Sequence, residues 1–346
     1  MALVKTDRRH RALHRRFTMP LNPLPTRHVD AGDLSVAYVD AGNPAGPPVV
    51  LLHGYPYDVH SYVDVIPPLA KAGFRVLVPY LRGHGPTRFL EHRTPRSGQQ
   101  AALGADLMAF IDALNIPAPI LAGYDWGGRA ACVVAALWPN RIAGLVTVNG
   151  YLIQNIAAAQ TPIRADLEAG FWYFWYFSTE RGRAGLEANR QDIADVIWKR
   201  NSPAWNYSVD ELARTAAAFD NPDYVDIVIH SYRHRLGLAP GAPHLEDLEK
   251  RLAQQPTITV PTITLDGLAD GNFPATDGAQ HAHLFTGPRE HRQIPHAGHN
   301  LPAEQPQAFV DAVTTVAATA HRPPMHHSSI AMGNPRQSRT GNGDQR

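Results

Sequence analysis

The six residues Gly123-Tyr124-Asp125-Trp126-Gly127-Gly128 follow the apolar run 119–122 and precede a stretch rich in Ala and Val. Glycines two before and two after a central residue permit a sharp strand-to-helix turn that pushes that residue's side chain out above a sheet. Here the central residue is an aspartate, where the better known form of this turn carries serine. A carboxylate is already ionised at neutral pH and can displace a leaving group at a saturated carbon, forming an ester on the protein. The same residues also read as a glycine-rich turn with Asp125 capping a helix.

An ester on Asp125 is a dead end until water attacks it, so the chemistry requires a base and a place for the oxyanion. His299, in Gly298-His299-Asn300-Leu301-Pro302, follows the last strand pattern and precedes the last helix pattern. An orienting carboxylate is expected between the two in chain order, and Gly267-Leu268-Ala269-Asp270 supplies Asp270, with Asp266 as its rival. His53-Gly54-Tyr55-Pro56 directly follows another apolar run. Its loop can aim the backbone N–H of Tyr55 into the same crevice, where with the N–H of Trp126 it would form an oxyanion hole. His53 itself reads as a packing and hydrogen-bonding residue, His291 and His296 as packing or surface residues, and Cys132 as a small buried one. The histidines show no metal-ligand spacing, and neither a metal nor an organic cofactor is expected.

The elements that must position these residues alternate. Strand patterns at 34–39, 49–53, 75–80, 119–123, 143–149, 258–265 and 291–294 are separated by helical ones, which points to an α/β fold with a mostly parallel sheet flanked by helices. Leu103, Leu107, Phe110, Ile111 and Leu114 form one stripe at helical period, and Phe309, Val310, Val313, Val316 and Ala317 form another. The alternation stops near Tyr151 and resumes about Pro256. The helical, aromatic-rich insertion between them, with Phe171 to Phe177 all aromatic, would sit over the ligand crevice as a lid. The expected division is a basic, disordered extension at 1–26, a core at 27–151 and 246–321, a lid at 152–245 and a disordered tail at 322–346.

The chain has 346 residues and a net charge of +1, but residues 1–18 hold +5 and residues 322–346 hold +3, which leaves about −7 between them. An acidic folded part argues against nucleic acid as a partner. No apolar run reaches the roughly 18 residues that span a bilayer, and the basic start lacks the apolar segment of a secretory signal. The single cysteine excludes an intramolecular disulfide and suits a reducing cytoplasm, the expected location. The partners expected are a small apolar substrate and water, with no membrane, in a monomer or homodimer.

Together these motifs resemble the α/β-hydrolase superfamily over about residues 27–320, and within it the aspartate-nucleophile branch of epoxide hydrolases and haloalkane or fluoroacetate dehalogenases. The resemblance to epoxide hydrolases implies two lid tyrosines that hold and protonate the epoxide oxygen. Tyr173, opening Tyr173-Phe174-Trp175-Tyr176-Phe177, looks like the first, and Tyr232, in Ser231-Tyr232-Arg233, like the second. Trp126, Phe171, Trp172 and Trp175 would line the substrate crevice. Haloalkane dehalogenases usually carry Asn where Tyr55 stands, and fluoroacetate dehalogenases share Arg129 but have Arg where Trp126 stands. Tyr80-Leu81-Arg82-Gly83-His84-Gly85 resembles a family loop that normally opens with Asp. The implied activity is hydrolysis of an epoxide to a vicinal diol. A dehalogenase is the alternative, and a non-catalytic ligand-binding protein the alternative of another class.

Overall fold

The computed structural model describes residues 24–320. The extension expected at 1–26 and the tail at 322–346 lie outside the described residues, apart from 24–26. Nine strands form one sheet: β1 Thr26–Ala31, β2 Leu34–Gly42, β3 Pro48–Leu52, β4 Arg75–Pro79, β5 Arg88–Phe89, β6 Ile120–Gly123, β7 Gly144–Val148, β8 Thr262–Gly267 and β9 Arg289–Ile294. Their order is β1-β2-β4-β3-β6-β7-β8-β9, with β5 on the flank of β2. Pairing is parallel from β4 through β9 and antiparallel where β2 meets β1, β4 and β5. Strands β3, β6, β7 and β8 are buried almost throughout, as a sheet covered on both faces requires.

The helices before the lid are α1 Ile66–Lys71, α2 Gln100–Ala113 and α3 Asp125–Leu137. Between β7 and β8 lie α4 Ala165–Gly170, α5 Trp172–Phe177, α6 Glu180–Ala188, α7 Arg190–Asn201, α8 Val209–Ala216, α9 Tyr224–Arg235 and α10 Glu246–Ala253. After β9 come α11 Leu301–Glu304 and α12 Pro306–Ala320. α2, α3 and α10 form one layer, α1 and α12 the other. The stripe expected on α2 is buried at Leu103, Leu107, Phe110 and Ile111, with Leu114 capping the end, and all five residues expected on α12 are buried. No helix among the described residues is long and apolar enough to cross a membrane.

The sheet departs from the sequence reading at its edges. β1 is mostly exposed and shows no apolar alternation; it exists because Gly32, at φ +56°, turns the chain back so that Ala31 pairs with Leu34. β5 is only two residues long. β9 begins two residues earlier than expected, since its polar residues sit on an edge strand. β8 begins four residues later than expected, because Pro261 cannot donate to the ladder and Ile258 makes only an isolated bridge to Phe285.

At the turn between β6 and α3 the helix backbone passes close beneath β3. A Cβ on Gly127 would fall 2.1 Å from the carbonyl oxygen of Leu52, a backbone atom fixed by the sheet. Gly127→Ala is therefore expected to destabilise the protein by about 3 kcal/mol, the scale of a severe core overpacking. Thermal or urea unfolding measures it, and an unchanged midpoint would contradict this packing.

Candidate active site

Asp125 opens α3 at φ +50°, a left-handed conformation that a non-glycine residue adopts only where the surroundings impose it. The consequence is a side chain standing clear of the sheet. Its Oδ1 accepts the N–H of Tyr55 at 2.8 Å and that of Trp126 at 2.7 Å, so both N–H groups expected to form an oxyanion hole converge on one carboxylate oxygen. Gly54 makes this approach possible, since a Cβ there would lie 2.5 Å from Cβ of Asp125. Oδ2 lies 3.5 Å from Nε2 of His299. Burial raises the affinity of Asp125 for a proton, but His299 and the two backbone N–H groups outweigh it and hold the carboxyl below its usual range.

Nδ1–H of the buried His299 donates to Oδ2 of Asp270 at 3.0 Å. Oδ1 of Asp270 accepts the N–H groups of Asn272 and Phe273, each at 2.8 Å, and Oδ2 also accepts from Asn149 Nδ2 at 3.3 Å. Burial opposes the imidazolium, yet the carboxylates of Asp270 and Asp125 on its two nitrogens push its pKa up to about 10. The row is therefore carboxylate, imidazolium, carboxylate. Asp266 points elsewhere: its Oδ2 takes the N–H and hydroxyl of Thr276 at 2.8 and 2.9 Å and fastens the loop that carries Asp270. His291 caps the same loop by a contact of 3.0 Å to the carbonyl of Thr276, and His296 is exposed.

His53 is a structural residue. Nδ1–H donates to the carbonyl of Gly54 and Nε2 accepts the N–H of Leu81, while burial and then His84 push its pKa down to about 3. The loop opened by Tyr80 is likewise structural, with Arg82 bound at two nitrogens to Asp106 at 2.6 Å.

From the lid, Tyr173 on α5 and Tyr232 on α9 meet edge to face, ring centroids 5.3 Å apart, above the Asp125 crevice. The Tyr173 hydroxyl accepts from Asn272 Nδ2 at 3.5 Å. Burial, with the Asp125 carboxylate beside them, keeps both phenols protonated well above the normal tyrosine range. The Tyr55 ring stacks on Trp126 at 5.4 Å and meets Tyr232 edge-on at the same distance.

A cavity of about 570 Å³ adjoins the crevice, lined among others by Phe171, Phe174, Trp175, Phe273, Arg129 and Arg235. A second, of about 350 Å³, shares Phe171 and Phe273 and reaches Asn149 and Asn272. Phe171 and Trp175 line this cavity, and Trp172 and Trp126 do not. Residues 171, 174 and 175 share one helix face, while Trp172 turns to Tyr176, four residues on, at 5.8 Å. Trp126 is buried beneath Tyr55.

Sequence reasoning missed how the lid fixes the loops of Asp270 and His299. The Asn201 carbonyl, at the end of α7, accepts the N–H groups of both Gly271 and His299, at 3.0 and 3.2 Å. Ser202 Oγ accepts the N–H groups of His299 and Asn300 at 3.0 and 3.3 Å and donates to Glu304 Oε1 at 2.6 Å. Glu304 Oε2 then accepts the N–H of Gly298 at 2.8 Å. Phe273, also missed, stacks on the His299 ring at 5.6 Å.

A family model described as the alpha/beta hydrolase fold matches residues 47–306. The crystal structure of a candidate epoxide hydrolase from Klebsiella pneumoniae superposes with a TM-score of 0.83 at 50% identity, covering 85% of this chain and 97% of that one. Epoxide hydrolase A of Mycobacterium tuberculosis is 28% identical over 309 residues, 81% of this chain and 93% of its own. A haloalkane dehalogenase of Mycobacterium marinum is 37% identical over 137 residues, 38% of this chain and 43% of its own. The chain belongs to the α/β-hydrolase family, and is a hydrolase whose relatives are epoxide hydrolases and haloalkane dehalogenases.

Proposed function

We propose that the chain is an epoxide hydrolase that works through an ester on Asp125, with 152–245 as the lid over a core of 27–151 and 246–321. The observation that carries this reading is Asp125, its carboxyl held ionised by two backbone N–H groups and His299, with the two buried lid phenols of Tyr173 and Tyr232 beside it. Asp125 Oδ2, the oxygen not held by the backbone, attacks an epoxide carbon as the carbon–oxygen bond of the ring breaks. The released alkoxide takes a proton from Tyr173 or Tyr232, which is general acid catalysis at a strained ether. Oδ1 becomes the ester carbonyl oxygen, already seated on the N–H groups of Tyr55 and Trp126.

Forming the ester removes one of the two carboxylates that hold His299 charged. Its pKa falls, its proton passes to the phenolate, and the neutral Nε2 becomes a base next to the ester. Water gives a proton to Nε2 and adds to Cγ, the oxyanion rests on the two N–H groups, and collapse breaks the Cγ–Oδ2 bond, the departing alkoxide taking the remaining proton of the added water to give the diol. Asp270 holds the imidazole by its Nδ1–H and stabilises the cation that re-forms. Asp125, Tyr173, Tyr232 and His299 end as they began, and the net change is epoxide plus water to diol.

A dehalogenase reading has one observation in its favour, the buried Trp126 Nε1–H, which lies against the Tyr232 hydroxyl and is a donor that a departing halide could take in its place. The aromatic ring of Tyr55 occupies the position of the second donor.

Incubation of purified His299→Gln separately with styrene oxide and with 1-bromobutane decides between them. An adduct of intact epoxide mass on the Asp125 peptide is expected. A butyl ester alone would transfer the assignment to dehalogenases, and no adduct from either would favour a non-catalytic binder. Asp125→Asn should show no steady turnover of styrene oxide, and ordinary turnover by that variant would reject Asp125 as nucleophile.

Asp125→Asn also imitates the loss of charge on ester formation. Since the carboxylate favours imidazolium, the amide should lower the pKa of His299 from about 10, observable as a displaced imidazole titration in NMR. A titration unchanged between the two proteins would contradict the proposed switch from cation to base.

A further inference from the structure

Two arginines reach the 570 Å³ cavity beside the crevice. Arg129 sits one helical turn after Asp125 on α3 and is only 8% exposed, while Arg235 ends α9. Both are held by neutral amides. Arg129 Nη1 reaches Gln100 Oε1 at 3.4 Å and Arg235 Nε donates to Gln154 Oε1 at 3.0 Å. The two glutamines are themselves joined, because Gln100 Nε2 donates to the Gln154 carbonyl at 2.8 Å and Gln154 N–H donates to Gln100 Oε1 at 3.0 Å. Amide oxygens fix a guanidinium without cancelling its charge. The buried Arg129 Nε–H has no hydrogen-bond partner among the described residues.

Among the described residues no carboxylate forms an ion pair with either arginine, although Glu168 shares the cavity wall. Glu249 accepts from Gln99, Gln100 and the N–H of Ala101, Glu168 on the cavity wall accepts the N–H of Ile163, and Asp125 faces His299. Arg235 stacks over the rings of Phe174 and Tyr232, 4.4 and 5.6 Å from their centroids, which places its charge against the back of a lid phenol. Burial and then the charge of Arg235 push Arg129 down to about 9, against the opposing pull of the Asp125 carboxylate. Buried charge of this kind is stable only when something pairs with it. The outer wall is apolar, and Ile163, Trp175 and Leu238 stand about half exposed around its mouth.

We propose that Arg129 and Arg235 form an anion subsite, and that the preferred substrates are apolar or aryl epoxides carrying a carboxylate on the ring or within a few bonds of it. The carboxylate lies between the two guanidiniums, the apolar body against Phe171, Phe174 and Trp175, and the epoxide at Asp125. The identity of the reacting end rests on the epoxide-opening reading above; the subsite itself does not.

Calorimetry on the full chain separates the two. 3-Phenylpropanoate and 3-phenylpropanamide have one shape and differ in charge, and neither can react. The acid should bind about tenfold tighter or more, the order that one charge-assisted pair supports. Arg129→Gln and Arg235→Gln should each remove most of that preference, and Arg235, at the end of its helix and half-buried, gives a variant whose folding does not depend on a buried cation. Among substrates, the ratio of kcat/KM for 3-phenylglycidate over that for β-methylstyrene oxide should fall by a similar factor in Arg235→Gln. Equal affinities for acid and amide, or a preference that survives both substitutions, would overturn the subsite. Absence of any epoxide turnover in the native protein would reject the proposed reaction and leave the binding comparison to decide the subsite by itself.

Discussion

The arrangement of this crevice depends on holding one carboxylate, Asp125, ionised in a place where water is scarce. An isolated carboxylate would take up a proton there. Two backbone N–H groups on Oδ1 and an imidazolium at Oδ2 prevent it. Those N–H groups come from two elements, the loop after β3 and the first turn of α3, and they converge only because Asp125 adopts a left-handed backbone and Gly54 leaves room for it. The parallel sheet therefore does more than supply a core. Its β3–β6 register, with Leu52 opposite Gly123, sets the distance between the two donors.

The charges also explain why the site can serve two opposite steps. A nucleophile must be unprotonated, and the base that later frees it must be neutral, yet in the resting crevice the histidine carries the proton. Asp270 fixes its orientation through Nδ1, with Phe273 stacked on the ring. In the proposed reaction Asp125 is the partner whose charge changes, since it would be lost when an ester forms and return when water cleaves it. Linking the basicity of the imidazole to the covalent state of its neighbour gives the order of events without any moving part.

Much of this was legible in the sequence, for identifiable reasons. Asp125, Asp270 and His299 sit in short glycine-bearing motifs at the ends of strands, where local geometry is nearly dictated by residue type, and their chain order follows from the topology. Tyr173 and Tyr232 required the family resemblance, because seven consecutive aromatics carry no local mark that separates one tyrosine from another. Trp172 could not be told from its neighbours for the same reason: only the helical rotation of α5 decides which rings face the cavity. β1 and β5 were invisible because edge strands need no apolar alternation. The cation pair drew no notice either, since Arg235 is one of many charged residues in a lid and its distance from Arg129 is a property of the fold.

The least legible feature is the join between lid and core, and it changes what the lid is. Its central contact is the main-chain carbonyl of Asn201, an acceptor that every residue type has, so no pattern could announce it. That carbonyl binds the loop of Asp270 and the loop of His299 at once, and Ser202 extends the tie to Glu304. α7 is anchored a second time by Trp198, whose indole N–H donates to the carbonyl of Pro56 at 2.9 Å and whose ring stacks on Tyr57. A rigid lid lifting away as a unit would break the hydrogen bonds that set the acid–base geometry. If the proposed reaction holds, entry of substrate past the lid is compatible with these hydrogen bonds only if α7 stays seated and the movement is confined to the other face of the insertion. That is where α4 and α5 border the cavity, and where Ile163, Trp175 and Leu238 already meet solvent.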